Sequence, residues 1–270
     1  MGADALTTVP VDGSQIVYRR VGKGRPVLVL NGFAATSSDW DPFFIDELAS
    51  SNELILLDNR GIGGSTDNGQ SFDIDKLAAD AARVIETLGF ERVSVIGWSM
   101  GGFIAQSLAV QYANRIDKLV LLSTDPGGIE ADLASPNVWS ELLDTSGTPN
   151  EQARRLLFLV FPKDVAESFY RQFGDVVAAA RAKVSVELLN RQAAAMEAWH
   201  RNGLTSQLRD IRTPVLVATG TEDIVIPASN ALKLVNTIPG AWLARFPHGG
   251  HAFMAQYPKA LAGLINSFLF

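Results

Sequence analysis

Short, nearly continuous apolar runs alternate along this chain with longer stretches whose apolar residues recur every three or four positions. Pro26-Val27-Leu28-Val29-Leu30, Glu53-Leu54-Ile55-Leu56-Leu57, Arg92-Val93-Ser94-Val95-Ile96, Leu119-Val120-Leu121-Leu122 and Val215-Leu216-Val217-Ala218-Thr219 are runs of the first kind. Their length and β-branched content suit strands buried on both faces, as in a parallel sheet. Ala241 to Phe246 offers a last strand, and Thr7 to Val21, broken at Asp12-Gly13, predicts an opening hairpin. Ile74, Leu77, Ala78, Ala81, Val84, Ile85 and Leu88 fall on one face at helical spacing, with Gly89 as the stop. Trp40 to Ala49 and Gly101 to Ala109 read as further helices. The alternation predicts an α/β fold with a mostly parallel central sheet and helices on both faces.

From about Gly127 to about Gln207 the strand pattern stops, and it returns at Thr213. The intervening segment is rich in Ala, Leu, Arg and Glu. Thr148-Pro149-Asn150-Glu151 has the form of a capping box with proline at the first helical position, and the apolar run Leu156 to Phe161 ends at Pro162. The expected division is a core of residues 1–126 and 208–270 with a helical insertion, 127–207. No internal repeat or low-complexity stretch is evident.

One motif carries chemistry. Gly97-Trp98-Ser99-Met100-Gly101 fits G-x-S-x-G between a predicted strand and a predicted helix. A serine on that sharp turn is held in a strained backbone with its oxygen exposed, which makes Ser99 the candidate nucleophile. A bare G-x-S-x-G also arises as a glycine-rich connection with a solvated serine; the flanking elements favour the nucleophile. The absence of cysteine excludes a thiol nucleophile, and for the base that a serine needs the chain offers three histidines. His251 sits in Pro247-His248-Gly249-Gly250-His251, a loop after the last strand, and the glycine pair gives it room to aim its ring. His248 is the competitor and is read as shaping the loop. His200, in Met196-Glu197-Ala198-Trp199-His200-Arg201, reads as a surface or cap histidine. For the acid that orients the imidazole, Asp223 closes a strand in Gly220-Thr221-Glu222-Asp223. Glu222 is adjacent, and Asp125, closing an earlier strand before Pro126, is a second address.

These residues, with Asn31-Gly32-Phe33, Asp58-Asn59-Arg60-Gly61-Ile62-Gly63-Gly64-Ser65 and Gly249-Gly250-His251, resemble the α/β-hydrolase superfamily. The likeness is to its helical-capped, cofactor-free esterase and haloperoxidase-like branch, over nearly the whole chain. The resemblance implies that the backbone amides of Phe33 and Met100 form the oxyanion hole. It implies that 127–207 is a cap over the nucleophile, and that no metal or organic cofactor is needed. Trp139, Phe158, Phe161 and Phe253 are candidates to line a substrate pocket, with Phe169 and Trp199 as further roof aromatics; any one of the insertion's aromatics could equally pack the cap's own core. Trp98 is expected to point into the scaffold. One departure is Asn31, where the family usually has histidine; Asn31 is expected to brace the loop by hydrogen bonding. The Asp58 to Ser65 segment is read as a structural turn held by its glycines and an Asp58/Arg60 pair.

The activity implied is a serine hydrolase cleaving carboxylic esters or related acyl compounds through an acyl-enzyme on Ser99. Lactonase, C–C bond hydrolase and perhydrolase/haloperoxidase chemistry use the same parts. Epoxide hydrolases and haloalkane dehalogenases, which carry Asp at the turn, are disfavoured by Ser99. A ligand-binding signal receptor on a hydrolase scaffold is the reading from another class. Composition narrows the partners. The chain has 270 residues, is 47% hydrophobic and 19% charged, and carries a formal net charge of -6 without a basic cluster. That argues against nucleic acid and anionic membranes; a small-molecule acyl substrate is what the resemblance implies. No apolar run reaches spanning length. Met1 to Leu6 lacks the basic and apolar regions of a leader, and the absence of cysteine suits a cytoplasmic protein.

Overall fold

The apolar runs become the strands of one eight-stranded sheet in the computed structural model, which describes residues 6–270. Residues 1–5, on which most of the leader expectation rests, lie outside the described residues. The strands are β1 (Thr7–Val11), β2 (Ser14–Gly22), β3 (Arg25–Leu30), β4 (Asn52–Leu57), β5 (Val93–Trp98), β6 (Ile116–Leu122), β7 (Val215–Gly220) and β8 (Trp242–Phe246). Their order is β1-β2-β4-β3-β5-β6-β7-β8. The β1–β2 and β2–β4 pairs are antiparallel, and all others are parallel. Asp12 (φ 43°) and Gly13 (φ 74°) form the two-residue hairpin turn between β1 and β2; positive φ at both positions matches the right-handed twist of the strands.

Successive strand residues point to opposite faces, and each face is buried. Leu28, Leu30, Ile55, Leu57 and Val95 pack in one core with α2 (Ile74–Thr87) and α3 (Met100–Gln111). Val27, Val29, Leu54, Leu56 and Ile96 pack in the other, with α1 (Pro42–Ala49) and the C-terminal helix Pro258–Leu269. Helix α1 starts two residues later than its apolar pattern suggests. Asp41 caps it by accepting from Phe44 N at 2.9 Å, and Pro42 takes the first helical position.

Between β6 and β7 the described chain holds helices and no strand. They are α4 (Pro136–Leu143), α5 (Pro149–Val160), α6 (Lys163–Arg181), α7 (Val186–Asn202) and the short α8 (Thr205–Leu208), after a 3-10 turn at Gly128–Glu130. The capping box forms as its sequence predicts: Thr148 and Glu151 exchange backbone and side-chain bonds at the start of α5. After β7 come α9 (Ser229–Thr237), α10 (Phe253–Gln256) and α11 (Pro258–Leu269). No helix among the described residues is long and apolar enough to cross a membrane.

The expected Asp58/Arg60 pairing is not made. Asp58 instead accepts from the amides of Ser37 (2.6 Å) and Gly64 (3.0 Å), which closes its own turn. Buried Arg60 reaches back to Asp80 on α2 with two bonds, 2.7 and 2.8 Å, and that pairing raises its pKa. Adjacent loop side chains diverge, so spacing in sequence does not report their partners.

Candidate active site

The turn from β5 into α3 concentrates the backbone strain of the sheet's central edge. Ser99 holds φ 56° and ψ -122°, a conformation a side chain rarely adopts. Its neighbours explain why the strain persists. A Cβ on Gly97 would lie 2.3 Å from Gly101 O, and one on Gly101 would lie 2.2 Å from Leu30 O. Only glycines let β5, α3 and β3 approach this closely. Ser99 N donates to Leu122 O at 2.9 Å, and Ser99 O accepts from Gly102 N (2.8 Å) and Thr124 Oγ1 (3.0 Å). Ser99 occupies the N-cap position of α3, yet its hydroxyl makes no capping bond. That leaves the oxygen available to react.

His251 follows β8 and is buried. Its Nδ1 lies 2.9 Å from Asp223 Oδ2, and Asp223 Oδ1 accepts from Val225 N (2.9 Å) and Ile226 N (2.8 Å). The backbone thus presents Asp223 to the ring in one orientation. Trp98 Nε1 donates to His251 O at 3.0 Å, and the two rings lie 5.5 Å apart. The remaining candidates pair elsewhere. His248 is exposed, with Nδ1 2.9 Å from Glu222 Oε1 and Nε2 3.1 Å from Asp164 on α6. The bond to Glu222 first, then that to Asp164, raises the His248 pKa, and His248 in turn lowers that of Asp164. Asp125 faces His200, at 3.3 Å from Oδ2 to Nε2.

The loop after β3 lies against the serine. A Cβ on Gly32 would sit 3.2 Å from Ser99 Cβ. Asn31 is wholly buried and acts as a strut: its Nδ2 donates to Leu57 O at 2.7 Å, and its Oδ1 accepts from Trp40 Nε1 at 2.5 Å. Phe33 occupies the first inner position of a turn closed by Ala35 N and Gly32 O. Met100 opens α3, so its N–H has no acceptor within the helix. Sequence reasoning missed the residue that ties this loop down. Gln192, buried on α7, accepts from Ala34 N at 2.9 Å, and Ala34 itself has φ 59°. The available signal was a polar residue on the apolar stripe Leu188, Leu189, Met196 and Trp199 of that helix.

Ser99 and His251 line one cavity of about 380 Å³, bounded by the core and the helical insertion. Phe33, Trp98, Phe103, Trp139, Leu142 and Val160 contribute apolar walls. Of the four pocket candidates, Trp139 alone is on the lining. Phe161 stacks on Phe169 with centroids 4.4 Å apart, Phe158 lies under the Arg154 guanidinium at 4.3 Å, and Phe253 is wholly buried beside Phe246. All three pack against the α1/α11-side core instead. Trp98, expected to face the scaffold, borders the cavity; Met100 is buried off the lining, leaving only its backbone near the serine. His200, read as a surface or cap histidine, lines the cavity too, edge-on to Phe103 and Trp139.

The sequence profile described as alpha/beta hydrolase fold matches residues 25–257. The chain is 28% identical over 265 residues to a non-heme haloperoxidase of Rhodococcus erythropolis, covering 96% of this chain and 97% of that one. It is 27% identical over 272 residues to a non-heme chloroperoxidase of Streptomyces lividans, covering 94% and 96%. The crystal structure of a hydrolase from Pseudomonas aeruginosa PA01 superposes with a TM-score of 0.82 at 26% identity, covering 98% of each chain.

Proposed function

The chain belongs to the alpha/beta hydrolase fold family, and from that premise we propose that it is a serine hydrolase cleaving carboxylic esters or related acyl compounds. One observation carries the reading. Ser99, on a strained turn with an uncommitted hydroxyl, shares a cavity with His251, whose far nitrogen is held 2.9 Å from buried Asp223. In this reading His251 Nε2 takes the Ser99 proton as Oγ attacks the substrate carbonyl. The Phe33 and Met100 amides stabilise the oxyanion of the tetrahedral intermediate. His251 returns the proton to the leaving alcohol, the acyl group stays on Ser99, and water repeats the sequence to release the acid. Asp223 holds the imidazole in the productive tautomer and stabilises it while protonated. Residues 127–207 act as a cap whose Trp139 and Leu142 bury the acyl group. The reaction as written needs no metal or organic cofactor.

The test is labelling with a fluorophosphonate, followed by hydrolysis of an ester panel. Wild-type protein is expected to label at Ser99 and to turn over short to medium esters. Ser99→Ala should stay folded and lose on the order of 10⁶ in kcat. Near-normal hydrolysis by that variant would end the nucleophile assignment. The two relatives named as haloperoxidases favour a second reading, perhydrolysis, in which hydrogen peroxide replaces water against the acyl-enzyme. Halide oxidation that requires both peroxide and a short carboxylic acid, and that disappears in Ser99→Ala, would support it.

A further inference from the structure

The cavity has a second histidine–aspartate pair that the hydrolytic scheme does not use. Asp125 lies in the loop just after β6 and is 2% exposed. Its Oδ1 accepts from Trp199 Nε1 at 3.1 Å and Gly127 N at 2.8 Å, and its Oδ2 lies 3.3 Å from His200 Nε2. Trp199 and His200 are consecutive on α7, so one carboxylate holds two neighbouring rings of the insertion. Phe103 stacks on Trp199 at 5.1 Å and meets His200 edge-on, while Trp139 meets His200 from another side. These contacts leave the imidazole little rotational freedom. Both His200 and Asp125 border the cavity that contains Ser99 and His251. His200 Nδ1 has no hydrogen-bond partner among the described residues. Anchoring the helix does not require this ring, because Trp199 and Gly127 already satisfy the carboxylate's other oxygen.

We propose that His200, positioned by Asp125, is a specificity-determining residue that hydrogen-bonds a hydroxyl group on the substrate away from the scissile carbonyl. This rests on the serine-hydrolase reading above. The geometry decides the chemistry. With Nε2–H donating to Asp125 Oδ2, the ring offers Nδ1 as an acceptor between the apolar rings of Phe103 and Trp139. A hydroxyl can donate to that nitrogen. The charges around the cavity argue for a neutral group over an anionic one. Asp132 is paired with Lys233 at 2.7 Å, and Glu197 with Arg201 at 3.8 Å, while Asp125 has only His200 as an ionisable partner. A carboxylate on the substrate would meet three lining carboxylates, Asp125, Asp132 and Glu197, against one lining arginine, Arg201, which is exposed and 3.8 Å from Glu197.

The experiment compares ethyl esters of unbranched acids with counterparts carrying one hydroxyl, walked along the acyl chain and followed by proton release. Wild-type protein should prefer one hydroxylated ester over its parent by about tenfold in kcat/KM, the scale of one net hydrogen bond. His200→Phe keeps a ring between Phe103 and Trp139 but removes both nitrogens, and should bring that ratio to about one. Asp125→Asn frees the ring and should reduce the ratio. His200→Gln, which keeps a hydrogen-bonding group, should restore part of it. Fluorophosphonate labelling at Ser99 shows which variants are folded, and the ratio is read on those. Equal ratios in wild type and His200→Phe, or no preferred hydroxyl position, would overturn the proposal while leaving the hydrolase reading intact. Wild-type protein that neither labels nor hydrolyses any ester would overturn the hydrolase reading, and this proposal with it.

Discussion

Single residues here are held by several partners at once, and those partners set what each can do. Asp223 spends one carboxylate oxygen on two backbone amides and the other on His251. Asp223→Asn keeps the shape, so the fold should survive. Its amide cannot stabilise the protonated ring and favours the wrong tautomer, and kcat should fall by about 10⁴ in steady-state assays. A mild effect there, with a severe one in Asp125→Asn, would move the acid to the loop after β6. Asp125 was a reasonable second address in the sequence. The structure turns it to His200 because α7 brings Trp199 and His200 over it.

At the scale of elements, α7 does more than roof the cavity. Gln192 fastens the loop that carries the Phe33 amide, so the helix and that loop should respond together. Gln192→Leu removes the acceptor and leaves the Ala34 N–H unpaired, at a cost of about 1–3 kcal/mol in stability. A loosened amide is a weaker oxyanion donor, so kcat should drop about tenfold with KM little changed. A fall in Tm with unchanged kcat would assign Gln192 a packing role only. The aromatics of the insertion separate by face. Trp139→Ala, on the cavity wall, should shift the preferred acyl length upward in a chain-length series. Phe161→Ala, stacked on Phe169 away from the lining, should cost about 3 kcal/mol in stability without shifting that preference. The reverse pattern would place Phe161 in the pocket.

Across the whole molecule, His248 joins the core to the insertion: it contacts Glu222 beside Asp223 and Asp164 at the start of α6. Its pKa is raised in the folded protein, so the stability it lends is fully present below the ordinary imidazole value of about 6.5 and is lost as pH rises through the raised value. The Asp164 pKa is lowered, so its share is present above the ordinary carboxylate range and is lost as pH falls through the lowered value. The Tm difference between wild type and His248→Gln should therefore be largest in mildly acidic solution and shrink toward alkaline pH. The groups are exposed, so the effect should be small and weakened by salt. A difference that grows with pH would show that the charged form of His248 is not the stabilising one.

The apolar runs were enough to place the central strands of a mostly parallel sheet, because strands buried on both faces read as continuous apolar runs, while the strand order came only with the tertiary structure. The glycines around Ser99 likewise announced the strained turn, since only residues without Cβ tolerate backbone atoms 2.2–2.3 Å from the position a Cβ would take. The placing of His251 beside Asp223 could be anticipated because both follow adjacent parallel strands, β7 and β8, at the same edge. The insertion was legible as helices but not as a surface. Helical periodicity says which side chains share a face; it does not say which face meets the cavity. Only tertiary packing put Trp139 on the wall and Phe158, Phe161 and Phe253 in the core, brought Gln192 to the loop after β3, and turned His200 from an expected surface or cap residue into a cavity residue on Asp125. The contacts of Gln192, Trp199 and His200 join α7 to loops 74 to 158 positions earlier in the chain, and no local pattern encodes a pairing at that range.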